Sequence, residues 1–349
     1  MISSIKHTFA VITLILLNYH YSFSQGCCSG GSGSPIAGGA SLGVLQKGQV
    51  ELGANYQYSN SNKFFSGDKD TTSLIKSLSS NYLYLRLGYG ITEKLTLSIE
   101  GGYFFDKTLV GLHPNDPSII DNTKKTSGIS DLIIFPRYDV YDKTDEDKHT
   151  EITLGLGLKI PLGKHYDSIV SFNDPTIPLK ISTILPPTVQ LTTGAYDIIL
   201  YGFIFREYKH AKFRVFANGL YVKKGWNSLG EKFGDYASIG LFAGKTFFKK
   251  LGITLQVKGE WIDVLQLVPY ATPSLMSVDP PATGSRKISF VPQINYSYKS
   301  FTVFALSDFP LYQYMNGQQI GSQNLITTGI TYRFMPAKYL WKETKKVQQ

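Results

Sequence analysis

A two-residue rhythm constrains this chain more than any other feature. It begins near residue 48 and recurs until Phe334. In "GQVELGANYQYS", Val50, Leu52, Ala54, Tyr56 and Tyr58 share one face of an extended chain, while Glu51, Gly53, Asn55 and Gln57 share the other. "NYLYLRLGYGI" sets Leu83, Leu85, Leu87 and Tyr89 against Tyr84, Arg86 and Gly88, and "LTLSIEGGYFF" sets Leu95, Leu97 and Ile99 against Thr96, Ser98 and Glu100. The pattern returns in "EITLGLGLKI", "KFRVFANGLY", "LGITLQVKGEW", "ISFVPQINYSY" and "NLITTGITYRF". Less regular candidates lie near 129–140, 195–206, 235–248 and 301–307. The total is about twelve strands of roughly ten residues, the length that crosses a bilayer when tilted.

The connectors decide what the apolar faces meet. Taken in order, the odd ones are long, near 60–79, 107–127, 162–193, 224–233, 264–285 and 308–323. The even ones are short, near 92–94, 141–149, 207–211, 249–250 and 299–300. A soluble sandwich has no reason to keep that asymmetry. Outer-membrane barrels do keep it, with turns in the periplasm and loops outside. Aromatics also close both ends of the apolar tracks. Tyr56, Tyr58, Tyr103, Phe105, Tyr221 and Trp261 fall near the loop end, and Tyr89, Phe213, Tyr332 and Phe334 near the turn end. Headgroup regions select for such girdles. The expected fold is all-β: an antiparallel transmembrane β-barrel of about twelve strands over residues 48–334, with lipid around it.

Composition agrees. Charged residues make up 17%, below the usual share of about 25% for soluble proteins. Tyr and Phe number 23 and 21, against 3 Trp. The opening "MISSIKHTFAVITLILLNYHYSFSQ" has one Lys, a short apolar run and a small-residue step, so residues 1–24 read as a cleaved signal peptide. No later segment offers about 20 uninterrupted apolar residues for a membrane helix. Residues 25–47 are rich in Gly and Ser, and form a candidate plug; residues 335–349 form a basic periplasmic tail. The formal charge of +9 suits anionic solutes or an anionic lipid surface as well as plain solubility. No nucleic-acid module accompanies it.

Thr327, Gly329, Tyr332 and Phe334 resemble the C-terminal signal read by the outer-membrane barrel assembly machinery. That resemblance implies the machinery as a partner. The tail after Phe334 departs from the pattern, in which the aromatic often ends the chain. Three further pieces, "SGISDLIIFPRYDV", "LGLGLKIPLGKH" and "TTGAYDIILYGF", resemble the outer-membrane transporter family assigned to a phenol-degradation (MetA) pathway. The matching residues are Gly128, Asp131, Lys159, Pro161, Gly163, Thr193, Gly194 and Asp197. The resemblance implies a barrel and a transport role, without a substrate.

Chemistry-bearing residues are sparse. Cys27 and Cys28 are weak candidates for a soft metal ion, since two ligands do not fill a site. His113, His149, His165 and His210 fall in loops and turns without a spaced partner. No outward track carries a His beside a Ser, and no Gly-x-Ser-x-Gly elbow occurs, so no enzyme and no cofactor are expected. The inward charges remain: Glu51, Arg86, Glu100, Asp131, Arg137, Asp139, Lys159, Asp197, Arg214, Lys258 and Glu260. They either line a pore whose field selects solutes or pair across a filled lumen. The leading expectation is passage of an unidentified small solute across the outer membrane, gated by residues 25–47 or the loop at 162–193. The alternative is a closed-lumen structural or binding barrel whose loops engage a partner.

Overall fold

The computed structural model describes residues 43–112, 123–174, 179–269 and 279–336. The proposed signal peptide, Cys27, Cys28, His113 and most of the basic tail lie outside them. Twelve long strands dominate: β1 (Val50–Ser61), β2 (Ser77–Gly90), β3 (Leu95–Val110), β4 (Lys124–Thr144), β5 (Lys148–Pro161) and β6 (Asp197–Tyr208) come first. They are followed by β7 (Phe213–Lys223), β8 (Tyr236–Phe247), β9 (Leu251–Ile262), β10 (Ser285–Tyr298), β11 (Phe301–Ile320) and β12 (Asn324–Phe334). Each pairs antiparallel with the next, and β12 returns to β1 with Val50 opposite Phe334 and Asn60 opposite Asn324. The sheet is a closed ring. Closure removes the free edges that a hydrocarbon environment cannot satisfy.

Alternation sorts the side chains. Leu52, Leu85, Ile99, Leu156, Ile204, Leu241 and Ile288 are exposed on the outer wall, while Glu51, Glu100, Arg137, Asp197 and Glu260 are buried inside it. The fold is a transmembrane β-barrel, with short turns at one end and longer connections at the other. Glycines open space inside. A Cβ on Gly155 or Gly157 would come within 2.9 Å of the Phe135 ring, so the two glycines let that ring lie flat against the wall.

One long connector is shorter than its sequence implies. The stretch near 308–323, expected as a loop, is mostly strand, and only 321–323 separate β11 from β12. The first loop supplies the reason: its strand Phe64–Gly67 pairs with the outer part of β11, setting Phe64 opposite Ile320. Pro310, which has no N–H to donate, sits at an irregularity in the ladder with β10.

The loop end is covered. Phe64, Ile75, Leu109, Leu185, Val189 and Ile320 form one buried apolar cluster there. The loop between β5 and β6 makes a hairpin from Ser168–Asp174 and Leu179–Ile184, then a 3-10 turn at Pro187–Val189. Leu191, just beyond, packs on Tyr82, Tyr84 and Phe104.

Candidate functional site

The eleven predicted lumen charges fall into three groups and two isolated residues. Near the turn end, Glu51 on β1 accepts from Arg86 Nη2 at 2.8 Å and Arg333 Nε at 2.5 Å. The Tyr84 hydroxyl donates to Glu100 one strand away. Arg137 enters no ion pair among the described residues. Its Nη1 donates to the Gly43 carbonyl at 3.0 Å and its Nη2 to Ser98 Oγ at 3.1 Å.

At the loop end, Lys159 on β5 bridges two strands. Its Nζ lies 3.2 Å from Asp131 on β4, 2.9 Å from Asp197 on β6 and 2.8 Å from Thr193 Oγ1. Asp197, wholly buried, also accepts from Lys224 Nζ at 3.0 Å and the Gly225 amide at 3.1 Å. The Thr192 hydroxyl donates to Asp131. This cluster therefore pins the loop before β6 onto the barrel rim.

The third group spans β8 to β11. Lys258 reaches Asp308 at 2.6 Å and Glu260 at 3.3 Å, while Lys287 meets Glu260 at 2.8 Å. The Tyr236 hydroxyl donates to Glu260 at 2.7 Å. Arg214 stands apart, donating from Nη2 to Thr246 Oγ1 at 3.2 Å. Asp139 is buried and accepts from the Tyr141 amide at 3.1 Å.

An aromatic wall completes the lumen. Phe135, Tyr201, Phe203 and Phe216 are buried, and Phe205 and Phe242 pack against them. Phe216 stacks on Phe242 at 4.3 Å between ring centres, and Phe135 meets Tyr201 edge-on at 5.7 Å. These residues belong to β4 and β6 to β8. In a ring of twelve strands β6 and β7 lie opposite β12 and β1, which carry Arg333 and Glu51. The aromatic patch therefore faces the Glu51 ion pairs across the lumen, while Arg137, the Lys159 cluster and Arg214 lie on its own side. The sequence reading missed this wall. Its signal was "DIILYGFIFREY", where both faces of a single strand are apolar.

The chain before β1 enters the turn-end mouth. The Val44 amide donates to Glu151 at 3.2 Å and the Leu45 amide to Thr96 Oγ1 at 2.7 Å. Leu45 is buried. The Gly90 position leaves room for the Gln46 carbonyl, which a Cβ would meet at 2.0 Å.

Thr327, Gly329, Tyr332 and Phe334 all lie on β12. Thr327 is buried, Gly329 faces Asn55 and Phe304, and Tyr332 stacks between Phe301 and Phe334 at 4.5 and 5.1 Å. Folding also creates a Ser–His contact hidden from the sequence: His165 Nε2 lies 2.8 Å from Ser228 Oγ. His165 enters no ion pair with a carboxylate among the described residues, so the contact ties two loops together without the acid of a catalytic triad.

No protein-family model matches the chain, and no curated protein matches it. Solved structures do. The COG4313 outer membrane channel from Pseudomonas putida F1 superposes with a TM-score of 0.60 at 13% identity, over 85% of this chain and 99% of that one. The KdgM porin gives 0.38 at 9% identity, over 81% and 99%. The NanC porin gives 0.40 at 8% identity, over 81% and 98%. The first of these likenesses shows a shared fold.

Proposed function

We propose that this barrel is an outer-membrane channel or transporter for small solutes, favouring those with an apolar or aromatic body and a polar group. The observation that carries this reading is the mixed lining of the lumen, with an aromatic patch on β4 and β6 to β8 set across from the Glu51 ion pairs and beside the Lys159 cluster. Arg137 Nε, the Tyr201 hydroxyl, Arg214 Nε, Thr254 Oγ1 and Ser289 Oγ are buried and meet no hydrogen-bond partner among the described residues. Buried polar atoms are ordinarily paired with protein or water, so these suit a hydrated passage. The pieces resembling the MetA-pathway transporter family converge on the Lys159 cluster, and the P. putida structure bears the description of a channel. Both support transport. The signal peptide and the β12 residues Thr327, Gly329, Tyr332 and Phe334 support delivery to the outer membrane by the barrel assembly machinery.

A second reading has its own support. The three ion-paired groups largely satisfy themselves, and residues 43–48 and 185–192 occupy the two ends of the lumen. A closed barrel whose loops engage a partner would look similar. Single-channel conductance of the folded protein in a planar bilayer separates the two. Under the channel reading, discrete openings appear, and deletion of residues 25–47 enlarges them. Silence in both the full chain and the deletion variant favours the closed barrel.

A further inference from the structure

We propose that the turn-end rim from β7 to β11 binds anionic phospholipid headgroups of the leaflet it faces. Three turns build this arc: 209–212, 248–250 and 299–300. Lys212, Lys245, Lys249, Lys250 and Lys299 gather on it, and none enters an ion pair among the described residues. Three of them stand over aromatic rings. Lys245 Nζ is 5.9 Å from the Phe247 ring centre, and Lys250 and Lys299 are 5.2 and 5.4 Å from that of Tyr298. Phe213, Phe247, Tyr298 and Phe301 are exposed on the outer wall, and Phe248 at a turn tip is 88% exposed. Cations held beside rings at the level where a membrane changes from tail to headgroup fit a lipid phosphate.

The backbone gives an independent reason. Among the described non-glycine residues, only Lys212, Phe248, Lys249 and Lys299 have left-handed φ, at 49°, 49°, 60° and 53°. All four belong to these three turns. Phe248 and Lys249 are the central pair of a tight hairpin closed by the Lys250 amide on the Phe247 carbonyl at 3.1 Å. Asn-Gly is the cheap choice at such a pair. A chain that keeps Phe and Lys there is retaining side chains that the turn does not need.

The excess of positive charge is concentrated on one arc. In the other two turns Glu93 stands beside Lys94, and Asp145, Glu146 and Asp147 lie between Lys143 and Lys148. At the border, Lys209 Nζ donates to the Asp145 carbonyl at 2.5 Å and His210 meets Asp147 at 2.7 Å. The five arc lysines lie beyond that border and beside exposed rings on the lipid side.

Native mass spectrometry of the full folded chain, titrated with equal phosphatidylglycerol and phosphatidylcholine, tests this. Each basic side chain at an anionic surface is worth about fivefold in binding. Phosphatidylglycerol adducts are expected to exceed phosphatidylcholine adducts at least about fivefold. A Lys245→Gln, Lys249→Gln, Lys250→Gln, Lys299→Gln variant should fall toward parity. Phe248→Asn with Lys249→Gly should fold at least as well, because it relieves the turn, yet lose part of the preference. Glu93→Gln with Asp145→Asn should leave the preference intact. The proposal is overturned if the native chain shows no preference, or if the relieved-turn variant keeps all of it.

Discussion

Lys159 sits between the partly exposed Asp131 and the buried Asp197, two carboxylates that would otherwise face each other. Removing one partner of a buried ion pair strands a charge, at a cost of about 3–5 kcal/mol. Lys159→Ala is expected to lose stability in that range, read from the denaturant midpoint of the refolded barrel. Asp131→Asn should cost less, since that side chain is partly exposed and Asp197 keeps Lys159 and Lys224. A second residue reports through pH. Burial holds the Glu231 carboxyl above its ordinary value, with the Asn227 amide opposing. Its folded form therefore binds a proton more tightly than its unfolded form. The contribution is fully present below the unfolded pKa and is lost as pH rises through the folded one. Glu231→Gln should flatten the part of the stability profile that falls as pH rises above the ordinary carboxylate range, measured as thermal midpoints. The inward charges were legible because alternation fixes the face of each residue. Their partners were not. Glu51 and Arg333 lie 282 positions apart, and only the ring's register brings them together.

The long loop at 162–193 stood out in the sequence as an element that could reach the lumen, and the structure sets its Pro187–Val189 turn at the loop-end mouth with Val189 buried. The contacts of Val44 and Leu45 were not readable in advance, because they use backbone amides rather than a side-chain pattern. Leu45→Asp should loosen this entry, since it places a charge among Thr96, Gly88 and Glu151. The expected outcome is a higher or more frequent conductance than the native chain shows, with the folded barrel unchanged on a gel. The outer half of β11 was misread as a loop. Pro310 and the Asn316-Gly317 step resemble turn chemistry, and Gly317 does take a left-handed φ of 95°. A backbone partner donated by another loop overrides that local signal.

At the scale of the whole molecule, the strand count, the long-and-short connectors and the outward apolar tracks were all readable, because lipid and barrel closure impose them everywhere at once. The aromatic wall was not, since lumen packing obeys no fixed period. A closed barrel should resist dodecyl sulfate until heated, so unboiled and boiled samples are expected to run at different positions on a gel. Identical mobility would remove the barrel. The β1–β12 seam has a further consequence, in time rather than space. Until β12 exists, β1 is paired on one side only, and its partner is the last barrel strand to be made. Every intermediate short of that moment carries two raw strand edges in or near a membrane. Such edges recruit other chains readily. A cell making this protein must keep the first strand guarded until the last one arrives. A chain cut before Asn324 should accumulate as aggregate or be degraded, whatever the quality of its other eleven strands.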